Sequence, residues 1–175
     1  MPRVMEITTP LGDGVLLFHA ISTREELGRL FEYQIDVLSE RNDIDPNKLL
    51  GHNVTVRVEL PDGGERHFDA YVTAFSLVGV LGRYLRYRIV GRPWLWFLTR
   101  CADCRIFQNQ KVPEIIEEIF GKYSIAAYEL DRLTGTYEPW EYCVQYRETD
   151  FNFVSRLMEQ QGIYYYFTHK DGKHT

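Results

Sequence analysis

The sequence has few of the features that point to bond chemistry or to nucleic acid. Its three cysteines are an odd number in a chain of 175 residues, which fits reduced thiols and argues against a disulfide framework. Lysine and arginine do not cluster, and the net charge is −5. A phosphate-binding face needs a positive footprint, so nucleic acid is not expected as a partner. Apolar runs such as Val15 to Phe18 are far too short to cross a bilayer, so no stable membrane insertion is expected. Met1 to Thr9 lacks the charged, apolar and small-residue layout of a signal peptide, which predicts a protein that starts in the cytoplasm. There is no Gly-x-Ser-x-Gly elbow, no Walker-type glycine loop, no internal repeat and no low-complexity tract.

What is present is the composition of a folded, soluble chain, 45% hydrophobic and 26% charged. At about 150 residues a chain buries roughly 70% of its unfolded surface, so a sizeable core is within reach. The 12 tyrosines and 10 phenylalanines suit pleated, half-buried surfaces and suggest β structure.

The first half reads as a β meander. Val4 to Ile7 and Val15 to Ala20 are strand candidates on either side of the turn residues Pro10 to Gly14. A brief turn is expected from Ser22 or Thr23 through Glu26. Then Phe31, Tyr33, Ile35 and Val37 alternate with Glu32, Gln34 and Asp36, the period of a strand with one wet face. Ser39 to Pro46 reads as a loop. Val54, Val56, Val58 and Leu60 alternate with Thr55, Arg57 and Glu59, and Pro61 to Gly64 closes a hairpin. His67 to Leu77 returns, Gly79 to Gly82 turns, and Tyr84 to Val90 runs back. Short-linked strands with few helices suggest a barrel or sandwich.

The pattern changes near Gly91-Arg92-Pro93, and a domain boundary is expected between about residue 95 and residue 105. Pro93 suits the start of a short helix over Trp94 to Thr99. Arg105 to Gln108 reads as a brief strand, and Val112-Pro113 opens a helix with Ile115, Ile116, Ile119 and Phe120 on one face, ended by Gly121. After a polar, turn-rich stretch comes the segment whose local signals agree best. Tyr142 to Arg147 is a strand; Thr149 or Asp150 caps a helix; Phe151, Val154, Leu157, Met158 and Gln161 form its apolar stripe; Gly162 ends it in a left-handed conformation; and Ile163 to Phe167 reads as a buried strand.

Each candidate for chemistry has a plainer structural reading. Cys101 and Cys104 have the spacing of half a zinc site or a redox pair, but Cys143 stands apart. His19, His52, His67, His169 and His174 show no ligand spacing to one another. Glu138, Glu141, Glu148 and Asp150 are close in sequence, yet an acid–base pair must face itself across a substrate; a helix cap and solvated strand positions are the expectation. His169 and His174 flank Asp171-Gly172, a turn signal that makes them exposed hairpin residues. Of Tyr164, Tyr165 and Tyr166 only alternate rings share a face. A stacking platform for sugar would need more, so packing or a subunit interface is the better reading. No catalytic, metal-binding or cofactor-binding residues are expected.

The run Gln145–Gly162, QYRETDFNFVSRLMEQQG, followed by Ile-Tyr-Tyr-Tyr, closely resembles the signature of the VgrG proteins, the Rhs-associated spike proteins of the bacterial type VI secretion system. Arg92 to Trp96, Asp103 to Gln108, Val112 to Ile116, and Leu27 to Leu38 followed by Leu50-Gly51 match in the same order; of the paired cysteines only Cys104 lies within the pattern. The resemblance implies a mainly β chain with an α+β part. A tube-type antiparallel β-barrel like that of the contractile phage tail hub would occupy 1–98, and an incomplete α+β (strand–helix–strand) hub domain 99–175, continuing beyond. It implies a structural protein and no enzyme: a homotrimer docking on the tube protein Hcp, carrying effector or adaptor proteins, and leaving the cytoplasm for the medium or a target cell. A carbohydrate-binding β module and a hydrolase domain are the alternatives.

Overall fold

The computed structural model describes residues 5–175; Val4, at the start of the expected first strand, lies outside them. The chain divides into two compact units, one running to Pro93 and taking in Phe167–Thr175, the other spanning Trp94–Tyr166.

The first unit is built on one antiparallel sheet of β1 (Met5–Thr8), β2 (Leu17–Arg24), β3 (Glu32–Ser39), β4 (Asn53–Glu59), β5 (Glu65–Leu81) and β6 (Tyr84–Arg92), in the order β1-β4-β5-β6-β3-β2. The alternation read from the sequence decides which face is dry. Tyr33, Ile35 and Val37 of β3, Val56 of β4, Ala70 of β5 and Ile89 of β6 are fully buried in one continuous core. The opposite face is laced by cross-strand ion pairs: Asp36 sits opposite Arg88 in the ladder and holds it at 2.7 Å, and Glu6 sits opposite Arg57 at 3.0 Å. The Arg88 hydrogen bond holds the Asp36 carboxyl below its ordinary value. The sheet curls around its core with β1 and β2 as its ends, and among the described residues no ladder joins them. The mainly β, antiparallel expectation stands at this level.

Two turn expectations give way to the ladder. Ser22 and Thr23 lie inside β2, because Ile21 pairs with the buried Ile35 and the strand runs on to Arg24. Gly79 lies inside β5, opposite Arg86 just past a register shift between Leu77 and Gly79, and is not a turn; the chain reverses at Gly82, whose φ of +61° suits glycine. At Gly91 the backbones come so close that an added Cβ would lie 2.6 Å from the Ala70 Cβ. Gly91→Ala is therefore expected to cost about 1–3 kcal/mol through overpacking, read as a lower denaturant midpoint. An unchanged midpoint would mean that the sheet yields there at no cost.

The second unit holds a 3-10 helix (Trp94–Arg100), β7 (Ala102–Phe107), α1 (Val112–Phe120), β8 (Cys143–Thr149) and α2 (Asp150–Gln161), with β7 and β8 paired antiparallel. Leu98, Ile115, Ile119, Phe153 and Leu157 form its fully buried interior. Thr149 caps α2 by accepting from the Asn152 backbone N–H at 3.1 Å, and Gly162 ends it at φ +67°. The buried stripe is Asp150, Phe153, Val154, Leu157 and Met158. Phe151 and Gln161 are only half-buried, so the expected stripe is corrected by a rotation about the helix axis. The reason is that Asp150 turns inward to polar partners, setting the phase of every step of three and four after it. The expected buried strand at 163–167 is also corrected: the segment is extended and alternates inward and outward, but it pairs with no strand among the described residues. A short hairpin of β9 (His169–Lys170) and β10 (Lys173–His174) follows as part of the first unit.

Candidate assembly surfaces

In the first unit, β5 is much longer than its neighbour on one side. β4 pairs with it only from Glu65 to Tyr71, and Val72 bonds to the loop through Gly51 and His52. From Ala74 to Leu81 the strand paired with it among the described residues is β6, so one edge of this stretch has no strand beside it there. No charged residue lies between Asp69 and Arg83. Leu77, Val80 and Leu81 are 58%, 69% and 48% exposed. Leu77 stands opposite the buried Tyr87 in the ladder, so it continues the apolar face of the sheet beyond the core that covers it. Monomeric sheets usually protect such edges with charge, proline or bulges. Here, among the described residues, the register shifts at Val72/Ala74 and Leu77/Gly79 are the protection of that kind.

The second unit has a comparable face. Ile106 pairs with Val144 and Cys104 with Tyr146 across the β7–β8 ladder, and all four are exposed. Their neighbours Arg105, Phe107, Cys143 and Gln145 point inward, Gln145 completely. The outward face is thus apolar and aromatic where an isolated two-stranded ribbon would be polar. Exposed apolar patches of this kind mark contact surfaces.

The model for the phage tail baseplate hub (GPD) matches residues 24–175. The chain belongs to the phage tail baseplate hub family. It is 49% identical to the type VI secretion system spike protein VgrG1b of Pseudomonas aeruginosa, over 98% of this chain and 23% of that protein. It is 48% identical to VgrG1a of the same organism, over 99% of this chain and 27% of that protein. The chain thus spans about a quarter of the length of these curated relatives. Among solved structures it is similar to the E. coli c3393 protein, described as a component of the type VI secretion system with structural similarity to the phage T4 tail proteins gp27 and gp5. The TM-score is 0.80 at 26% identity, over 95% of this chain and 46% of that one. A prophage MuSo2 tail protein from Shewanella oneidensis shares the fold at a TM-score of 0.63 and 20% identity, over 97% of this chain and 51% of that one. The resemblance read from the Gln145–Gly162 run is borne out.

The hub chain disposes of the sequence candidates differently from one another. Cys101 and Cys104 are exposed free thiols, and Cys143 is buried, where burial raises its pKa. Glu138 and Glu141 are exposed, and Glu148 binds Arg156 at 2.7 Å. Among the described residues no three His, Cys, Asp or Glu side chains come together as a group able to hold a metal. Tyr164 and Tyr166 point outward and Tyr165 inward, the alternation expected of an extended segment.

Two readings of these residues are corrected. Asp150 is not the helix cap, a place Thr149 takes, but a buried carboxylate. It accepts from Gln145 Nε2 at 2.8 Å and Tyr123 Oη at 2.8 Å, and faces Arg105 Nη1 at 3.3 Å. Burial, and then the bond to Asp150, raises the Tyr123 pKa. The four side chains come from β7, the turn after α1, β8 and α2, and they tie the second unit together. His169 and His174 are not exposed: His174 is 3% accessible and His169 is half-buried. Both rings lie against Phe31, with centroids 5.1 and 5.4 Å from it. Asp171-Gly172 does make the expected turn, but the hairpin lies against the sheet. A local turn signal says nothing about what covers the turn's flanks.

Proposed function

We propose that this chain is the opening hub portion of a VgrG-type spike: a structural part of a type VI secretion machine and not an enzyme. In this reading the curled sheet of the first unit contributes to a tube-type barrel. Copies associate as a homotrimer, the assembled ring docks on the tube protein Hcp, and effector or adaptor proteins are carried with it. The protein assembles in the bacterial cytoplasm and leaves it when the machine fires. The observation that carries the reading is the free, uncharged edge of β5 ending in the exposed Leu77, Val80 and Leu81. Backbone edges of this kind take up another strand through main-chain hydrogen bonds, with flanking side chains giving selectivity. Spike proteins at 49% identity support the same reading over a carbohydrate-binding module or a hydrolase.

Light scattering and sedimentation over a concentration series test it, with immobilised Hcp as the second arm. Association is expected in the wild-type chain and is expected to be lost in a Leu77→Lys, Val80→Lys double variant. Both side chains are exposed, so that variant is expected to keep its circular dichroism spectrum and its unfolding free energy to within about 0.5 kcal/mol. A wild-type chain that stays monomeric at its highest soluble concentration and ignores Hcp would remove the β5 edge from the assembly reading.

A further inference from the structure

The hairpin β9–β10 is held by a chain of hydrogen bonds whose direction is fixed. The Asp69 backbone N–H donates to His169 Nδ1 at 3.2 Å, so Nδ1 must be unprotonated. The ring proton is then on Nε2, which faces Tyr33 Oη at 3.1 Å. The Tyr33 hydroxyl in turn donates to the Glu25 carboxylate. A second histidine, His174, lies beside the first, tilted by 35° with centroids 5.9 Å apart, and meets Tyr71 edge-on at 5.6 Å. Beneath the pair lie Phe31 and Tyr33, both inaccessible to solvent and stacked at 4.5 Å. The floor of this site is aromatic and the latch is imidazole.

We propose that the His169–His174 pair is an acid-sensitive latch: protonating it releases the β9–β10 hairpin and uncovers the aromatic floor of Phe31 and Tyr33. The chemistry follows from the donor count. An imidazolium carries protons on both nitrogens, so a protonated His169 presents N–H to the Asp69 N–H where a bond used to be. Two imidazolium rings at this separation also repel one another in a poorly hydrated place. The other charged and titratable groups facing the pair are Glu25 from the segment after β2, Arg66, Asp69 and Tyr71 from β5, and Tyr33 from β3; Asp171 and His67 act on Asp69. Glu25 favours a charged His169 and Arg66 opposes it.

The protonation tendencies agree with the geometry. Burial holds His169 below its ordinary value, and burial and then His169 push His174 down to about 3. Asp69 is raised to about 6, chiefly by burial. When the hairpin opens, the histidines return towards 6.5 and bind protons that the closed form refuses, so the closed form loses ground as pH falls below that value. Asp69 works the other way, taking up its proton more readily in the closed form between its ordinary 3.8 and about 6. Two histidines outweigh one carboxylate, and the net effect of acid is opening. This latch is independent of the assembly reading.

Hydrogen exchange on the full chain, corrected for the intrinsic pH dependence, tests it at pH 7.5 and pH 5.0. Opening of residues 167–175 is expected to rise by about tenfold or more at the lower pH, while the β3 and β6 amides keep their protection. In a His169→Asn, His174→Phe double variant, which retains an acceptor for the Asp69 N–H, the rise is expected to vanish or reverse because the two imidazoles are gone and the raised Asp69 remains. Nitrogen-15 chemical shifts of the wild-type rings, taken at neutral pH, provide a readout that does not depend on that variant folding. They are expected to show the Nε2–H form of His169. Protection that is the same at both pH values, a double variant that opens like the wild type, or an Nδ1–H tautomer would each overturn the latch.

Discussion

Replacing Asp150 by alanine is expected to lower the stability of the second unit by about 3–5 kcal/mol, the cost of removing one partner from a buried ion pair. The loss is large because three groups converge on one carboxylate that is 1% accessible: the Arg105 guanidinium, the Gln145 amide and the Tyr123 hydroxyl. Arg105 keeps Asp103 at 2.5 Å and Gln145 keeps the Glu148 carbonyl at 3.1 Å, but each loses its buried acceptor. Thr149→Ala, by contrast, removes only the helix cap and is expected to cost about 1 kcal/mol. Urea denaturation followed by far-ultraviolet circular dichroism separates the two. If Asp150→Ala cost no more than Thr149→Ala, Asp150 would be a cap and the inward network would contribute nothing. A double replacement, Asp150→Ala with Arg105→Met, is expected to cost less than the sum of the singles, since the two groups share one interaction that each single replacement already removes.

Tyr33→Ala is expected to have the second large effect, about 3–5 kcal/mol for emptying a fully buried aromatic site. The Tyr33 ring stacks on Phe31 at 4.5 Å and meets Phe68 edge-on at 5.6 Å, so no neighbour can fill the space without leaving another contact. Tyr33→Phe keeps the ring but strands the Nε2–H of His169, a cost of about 1–3 kcal/mol. Calorimetry on both variants resolves packing from hydrogen bonding. In Tyr33→Phe the loss is expected to concentrate in residues 167–175 by hydrogen exchange. If both variants lowered stability equally, the hydroxyl would account for the whole effect and the packing term would be wrong.

Where the sequence was legible, the reason was a strong local period. The alternation of Tyr33, Ile35 and Val37 against Gln34 and Asp36 placed β3 and its dry face, and Val112-Pro113 with Ile115, Ile116, Ile119 and Phe120 placed α1 and its buried side. The Thr149 cap and the left-handed Gly162 were readable for the same reason: each satisfies backbone groups within one turn of itself. The exposed edge of β5 was less visible. A reader could have noticed that no charge interrupts Tyr71 to Gly82, but not that β4 stops at its partner Tyr71 and leaves the remaining edge uncovered.

The sequence alone determined the mainly β character, most strand and helix positions, and through the Gln145–Gly162 run the kinship with spike proteins, because these depend on period and on residue order. Only the tertiary structure decided that Asp150 faces inward, that His169 and His174 lie covered against Phe31, and that β5 outruns its neighbour. Each depends on a partner distant along the chain: Asp150 on Arg105 and Tyr123, the histidines on Phe31, Tyr33 and Asp69, and the β5 edge on where β4 ends. A polar side chain reads the same in sequence whether it meets water or a buried partner, and only folding chooses between them.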